Sequence, residues 1–321
     1  MEVSRVVDVV ALGSVMVEIS PTQLGVPLTE VQELRALPGG ASCNFAAALA
    51  KLGVRVALAT GVGEDEWGQW VRARLADLGI DTSRVKAVAG QLTTVSFCWA
   101  DRLGGKRFYF YRVPGHSDPI AALSAEDVVG GSLEGVRFFD LSEAAIRRSP
   151  LREVAFEAAE RARGSGLSIC YAVNYRPASW SEGNDEIRAL QRKALALADV
   201  AVMNREEAAS IADREDLDAA LREIERLGPP IVAVTGGAEG TIISADGERE
   251  HVPARRVEVL YDVGAGDVFH AGLLAGLILG KAPAEAARFG SDAAALWISR
   301  PNDLGGLPTR EEVEAPWRVA Q

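Results

Sequence analysis

The residues whose types and spacing most plainly suit chemistry are Gly264-Ala265-Gly266-Asp267, which run into the apolar stretch Val268-Phe269-His270-Ala271-Gly272-Leu273-Leu274-Ala275-Gly276. Two glycines one residue apart, followed by a helical run, predict bare backbone N–H groups at a helix start. That is an anion hole with the positive end of the helix dipole behind it. Asp267 then falls in or beside the first helical turn. There the dipole keeps its carboxylate ionised, ready to accept a proton from a hydroxyl held beside the hole. A hydroxyl, a general base and an oxyanion cradle together suit phosphoryl transfer. A second cluster, Pro38-Gly39-Gly40-Ala41-Ser42-Cys43-Asn44, opens an alanine-rich helical stretch. Its glycines let backbone approach a ligand closely, and Asn44 offers a donor and acceptors suited to sugar hydroxyls. Taken alone, that cluster is accounted for by Ser42 capping a helix. Neither G-x-x-x-x-G-K-[ST] nor G-x-G-x-x-G occurs, which excludes a P-loop enzyme and weakens a nicotinamide dehydrogenase.

Short β-branched runs alternating with longer helical ones must position these clusters. Strands are predicted over Val6–Leu12, Val54–Thr60, Val136–Leu141, Leu167–Val173, Val200–Asn204 and Ile231–Thr235. Helices are predicted over Ser42–Leu52, Asp65–Leu78, Pro150–Arg163, Asp185–Ala198 and Leu217–Leu227. That alternation implies an α/β fold, a parallel sheet covered on both faces. The near-continuous apolar character of 200–203 and 231–235 fits strands buried on both sides. Two segments break the rhythm. Thr94–Trp99 and Arg107–Arg112 read as a hairpin around Leu103-Gly104-Gly105, and Ile19–Leu37 is irregular with two prolines. Both read as a small β lid outside the core.

Composition narrows the class of function. The chain has 321 residues, 48% hydrophobic, which excludes disorder, and a net charge of −11, which argues against a nucleic-acid partner. Cys43, Cys98 and Cys170 are odd in number and dispersed, so neither a disulfide scaffold nor a structural zinc site is expected. His116, His251 and His270 are too scattered for a metal centre and read as surface or packing residues. The apolar run Val268–Gly280 is about five residues short of a membrane span, so no membrane partner and a reducing cytoplasm are expected.

The two glycine clusters resemble the two signatures of the ribokinase-like (PfkB-type) carbohydrate kinase family, a Gly-Gly pair followed by Asn and D-T-x-G-A-G-D. Other matches keep the family's order. Asn204-Arg205-Glu206-Glu207 resembles N-x-x-E, Thr235-Gly236-Gly237-Ala238-Glu239-Gly240 resembles the nucleotide loop, and Ser299-Arg300-Pro301 closes the set. The resemblance covers essentially the whole chain. It implies a single three-layer α/β/α kinase domain over 1–321, with a lid from about 14–37 and 91–116. It also implies Asp267 as base and Gly264, Ala265 and Gly266 as the phosphoryl cradle. ATP would lie near Asn204, Glu207, Thr235, Gly237, Gly240 and Ser291, with magnesium touched by Glu207 through water. Relatives commonly dimerise through the lid, which implies a homodimer.

Within the family the chain is most similar to sugar-acid kinases of the 2-keto-3-deoxygluconate type. Gly13-Ser14-Val15-Met16-Val17-Glu18 resembles their first strand and turn, Arg107-Phe108-Tyr109-Phe110-Tyr111-Arg112 their lid strand, and Asn174-Tyr175-Arg176 with Trp180 their N-Y-R segment. The implied acceptor site is Gly39, Gly40, Asn44, Phe110, Arg112 and Arg176, two arginines being able to grip a carboxylate. The chain also departs from the pattern. Tyr261-Asp262-Val263 replaces D-T-x, which counts against activation by a monovalent cation. Ala172 stands where an acid often precedes V-N-Y-R, Phe110 where the sugar-acid kinases carry tyrosine, and Ser291 where the family often has asparagine. The alternatives are a fructokinase or other neutral-sugar kinase and, from another class, a non-catalytic sugar-binding protein with a decayed site.

Overall fold

Val9–Leu12 (β1) is buried at every residue, with no inside–outside alternation. A strand reads that way when helices cover both faces of its sheet. It pairs in parallel with Val56–Gly63 (β4) on one side and Phe138–Ser142 (β8) on the other. The structure is a computed structural model that describes residues 6–23, 25–100, 106–111, 118–300 and 304–316. Arg112, His116, the Leu103-Gly104-Gly105 turn and Pro301 lie outside the described residues, as does the C-terminal end of the proposed lid.

The remaining strands of the large sheet are Val85–Val88 (β5), Ser168–Ala172 (β9), Val200–Asn204 (β10), Ile231–Thr235 (β11), Thr241–Ala245 (β12) and Glu248–Val252 (β13). A second sheet joins Met16–Pro21 (β2), Leu34–Gly39 (β3), Val95–Ala100 (β6) and Lys106–Tyr111 (β7). The nine-stranded order is β13-β12-β11-β10-β9-β8-β1-β4-β5, and the smaller sheet runs β3-β2-β6-β7. The expected α/β class therefore stands, as a three-layer fold with a mostly parallel sheet.

Helices occupy both faces. Ala41–Lys51 (α1), Glu66–Asp77 (α2), Ala265–Ile278 (α9) and Pro283–Ile298 (α10) bury one set of apolar residues, including Phe45, Leu75, Leu273 and Trp297. Ala125–Val129 (α3), Glu143–Ile146 (α4), Leu151–Gly164 (α5), Asn184–Leu197 (α6), Arg205–Ala212 (α7) and Leu217–Leu227 (α8) bury the other set, including Val128, Ile146, Ala155 and Ile224. Chain order runs outward in both directions from β1 and β8. The crevice beyond the C-terminal ends of such strands is where ligands of open α/β sheets sit. Gly13, Asn174, Asn204 and Thr235 all fall at that edge. Among the described residues no helix is long and apolar enough to cross a membrane.

Two differences from the sequence reading have simple causes. The 19–37 segment is not irregular throughout, since β2 and β3 pair antiparallel from Met16↔Gly39 to Pro21↔Leu34. Pro38 is tolerated because β3 is the edge strand of its sheet. The antiparallel pair β12–β13 has no counterpart among the predicted strands. Its turn is Asp246-Gly247, with φ of 51° and 82°. An Asp-Gly pair at positive φ is a hairpin signal that was present in the sequence.

Candidate active site

Two helix starts build the centre of the site, and both are capped by a glycine at positive φ. Gly264 (φ 80°) precedes α9 and Gly40 (φ 106°) precedes α1. A side chain at Gly40 would strike the Ser14 carbonyl at 2.7 Å, and one at Gly264 would crowd the Asn44 amide at 3.3 Å. Glycine thus serves both the backbone conformation and the close approach of the two helices. Across that approach Asn44 Nδ2 donates to Asp267 Oδ2 at 2.9 Å. The asparagine expected to meet sugar hydroxyls therefore spends its amide on Asp267. The first intrahelical bond of α9 runs from the Val268 amide to the Gly264 carbonyl at 2.9 Å. The amides of the first turn thus have no intrahelical acceptor. That of Ala265 is directed at the Asp262 carbonyl at 3.3 Å, while nothing stands near the side of Gly266 where a Cβ would be. The loop before the hole is held by Trp297 Nε1, which donates to the Val263 carbonyl at 2.8 Å.

Asp267 is partly exposed, yet burial pushes its carboxyl up to about 6, against the Asn44 hydrogen bond and the Arg176 charge, which pull it down. A carboxyl with that value is ionised at neutral pH and could act as a general base. Asn174, at φ 37°, brings its side-chain amide to 3.5 Å from the other Asp267 oxygen, a long contact. Beneath this group His270, one turn along α9, stacks on Phe45 with ring centres 4.4 Å apart and faces the buried Asp140 at 3.4 Å. Burial pushes the imidazole down to about 3, so His270 is a neutral packing residue, as its sequence context suggested.

Residues expected on the nucleotide side also come together. Asn204 and Thr235 are register partners on β10 and β11. Arg205 pairs with Glu239 at 2.9 Å, joining the start of α7 to the loop between β11 and β12. Gly237 and Gly240 shape that loop at φ 58° and 88°, and a side chain at Gly240 would meet the Val252 carbonyl at 2.3 Å. Glu207 is 7% exposed, and both its oxygens are engaged, Oε2 by the Asn204 amide at 2.8 Å and Oε1 by the Tyr175 amide at 2.7 Å. Burial raises its pKa while those amides and Arg176 lower it. Glu207 thus ties the nucleotide edge to the segment that carries Arg176. Ser291 stands on α10 beside Asp292, whose carboxylate takes the Arg255 guanidinium at 2.8 Å.

On the acceptor side, Gly39 leaves room for Glu18, since a side chain there would come within 2.8 Å of the Glu18 Cβ. Glu18 lies across from Ser96 in the smaller sheet, and burial raises its pKa against the Arg35 charge. The Cys43 thiol is pushed up to about 12 by burial and by the charges of Glu18 and Asp267. Two carboxylates therefore flank the start of α1. Tyr261 is buried, and its hydroxyl reaches Cys98 Sγ of β6 at 3.6 Å. Phe110 is half exposed on the edge strand β7, and Arg176 is exposed with only the Tyr175 carbonyl at 3.3 Å as a hydrogen-bond acceptor among the described residues. Sequence reasoning alone does not single out Glu18 or Asn174, whose signal is their place in the Gly13–Glu18 and Asn174–Arg176 segments.

Residues 7–310 match the pfkB family of carbohydrate kinases. The chain belongs to that family. Among curated relatives, it is 27% identical to a 5-dehydro-2-deoxygluconokinase of Clostridium beijerinckii, covering 97% of this chain and 92% of that one. It is 29% identical to a fructokinase of Klebsiella pneumoniae, over 94% and 97% of the two chains. The structure of aminoimidazole riboside kinase from Salmonella enterica, complexed with aminoimidazole riboside and an ATP analog, aligns with a TM-score of 0.80 and 25% identity, covering 95% of this chain and 97% of that one. As a member of the pfkB family, the chain is a sugar kinase.

Proposed function

We propose that this kinase transfers the terminal phosphoryl of ATP to the primary hydroxyl of a small keto-deoxy sugar acid, of the 2-keto-3-deoxygluconate type. The hydroxyl oxygen bonds to phosphorus as the bond from phosphorus to the ADP oxygen breaks, and Asp267 takes the hydroxyl proton. The amides at the start of α9 stabilise charge on the transferring group. The observation that carries the acid reading is the Arg176 guanidinium. It lies close enough to Asp267 to lower its pKa, and among the described residues it makes no ion pair. An acceptor carboxylate would meet it with charge-assisted hydrogen bonds, each worth about 1.5–3 kcal/mol. The likeness to a 5-dehydro-2-deoxygluconokinase supports the same class.

Among the described residues no group of three His, Cys, Asp or Glu side chains could cage a metal ion. That suits magnesium carried on the ATP phosphates with its own waters, Glu207 acting at most through one of them. Such an ion would offset phosphate charge. The smaller sheet serves as the acceptor lid, and its outer aromatics, with Tyr111 68% exposed and Tyr109 45%, suit a homodimer through that lid. A fructokinase is the second reading, favoured by Phe110, which lacks a hydroxyl to join a carboxylate's hydrogen bonds, and by the fructokinase relative. One lost neutral bond, about 0.5–1.5 kcal/mol, weighs less than the arginine contacts. The test is kcat/KM for the acid against fructose in the parent, in Arg176→Met and in Phe110→Tyr. Fructose winning in the parent, or an unchanged ratio in Arg176→Met, removes the acid assignment and leaves the kinase.

A further inference from the structure

Glu143 takes no part in the transfer, yet its side chain is 1% exposed. It opens α4 directly after β8, and burial raises its pKa. A buried carboxylate is retained only where donors compensate it. Here Trp180 Nε1 donates to Oε1 at 2.7 Å and Arg147 Nε to Oε2 at 2.6 Å. The Arg176 backbone amide lies near enough to the carboxylate to lower its pKa. Trp180, 9% exposed, closes the turn after Arg176, its amide donating to the Pro177 carbonyl at 3.2 Å. One carboxylate therefore holds Trp180 at the end of the 176–180 turn and lies near its start. A second, Glu207, grips the preceding residue through the Tyr175 amide at 2.7 Å. The segment 174–180 follows β9 and hangs between carboxylates placed by the strands on either side, β8 and β10. Asn174 keeps its left-handed φ of 37° within that suspension. Arg176 itself has a long, exposed side chain whose direction depends on its backbone.

We propose that Glu143 is a positioning residue for acceptor recognition. By holding Trp180 at the far end of the turn that begins at Arg176, it fixes the direction from which the Arg176 guanidinium meets the acceptor beside Asp267. The proposal rests on the reading that the Arg176 segment holds the acceptor. It also assigns a division of labour: Glu143 serves the acceptor, whereas Glu207 touches both the acceptor segment and the nucleotide edge.

The experiment measures KM for acceptor and for ATP separately in Trp180→Phe, Glu143→Leu and the double variant, using whichever acceptor the parent turns over best. Trp180→Phe keeps the ring and removes only the indole N–H, so it folds. It is expected to raise the acceptor KM about three- to tenfold, the range of one hydrogen bond, with the ATP KM within about twofold of the parent. Glu143→Leu is expected to do the same more strongly, and Trp180→Phe to add little in its presence. Glu143→Gln, whose amide oxygen can still accept from the indole, is expected to recover part of the loss. An unchanged acceptor KM in Trp180→Phe, equal rises in both KM values, or full additivity in the double variant would each overturn the proposal. A parent that prefers a neutral acceptor would refute the acid reading alone, because the KM split is read on any acceptor.

Discussion

Replacing Asp267 by Asn keeps the shape of the side chain and an oxygen for Asn44 Nδ2, 2.9 Å away in the parent, but removes the proton acceptor. General-base contributions run to roughly 10²–10⁴-fold, so kcat should fall by at least about two decades with the ATP KM nearly unchanged. The same substitution should stabilise the fold. Burial raises the Asp267 carboxyl from 3.8 to about 6. Between those values the folded chain holds a proton that the unfolded chain has lost, so this group's contribution to stability declines as pH rises. The full penalty stands above about 6. A rise of that size corresponds to roughly 3 kcal/mol, an upper bound because the residue keeps some contact with water. For a chain of 321 residues, that is a gain of up to roughly 4 °C in Tm for the Asn variant. The gain should be complete at pH 8 and vanish towards pH 4. Coupled ADP release and calorimetric Tm across that pH range read the two effects. Turnover within a few-fold of the parent would remove Asp267 from the mechanism. A Tm difference that stays constant from pH 4 to pH 8 would refute the burial argument.

Asn44→Ala removes the hydrogen bond that lowers the Asp267 pKa, so the acid limb of kcat/KM should move above its parental value near 6; a limb left in place would show that the bond does not tune the base. Gly264→Ala forces a side chain into φ 80° at 3.3 Å from Asn44. It should cost about 1–3 kcal/mol of stability and depress kcat, both measurable on the purified variant, whereas a parental Tm and kcat would refute the close-approach argument. Tyr111→Glu, at a residue 68% exposed on β7, should convert a dimer to a monomer in sedimentation at micromolar concentration; a monomeric parent would remove the lid-to-lid dimer. Tyr261 is buried against Cys98, and turnover should vary less than about twofold among sodium, potassium and tetramethylammonium salts; strong activation by potassium would refute that.

Most of the sheet and the glycine-led start of α9 were legible because they depend on short-range pattern. Val200–Asn204 and Ile231–Thr235 fall on their predicted bounds, since short apolar runs between helical stretches suit strands covered on both faces. Gly264 and Gly266 around Ala265 announced a helix start, because a glycine turn running into an apolar helical stretch marks where the helix begins. The β12–β13 hairpin was also written in the sequence, at Asp246-Gly247. What the sequence could not decide is which side chains meet across long separations. Asn44 and Asp267 are 223 residues apart, and their hydrogen bond exists only because two glycine-capped helices converge at one edge of the sheet. Glu207 matched a motif for magnesium, yet the fold turns both its oxygens to the amides of Asn204 and Tyr175. Glu143 carried no signal at all. A glutamate in the first turn of a short helix is ordinary in sequence, and only packing against Trp180 and Arg147 buries its charge. Pattern determines which segments become strands and helix starts, because those choices are made by neighbours along the chain. Pairing, burial and the resulting pKa values are made by neighbours in space, and the tertiary structure alone supplies them.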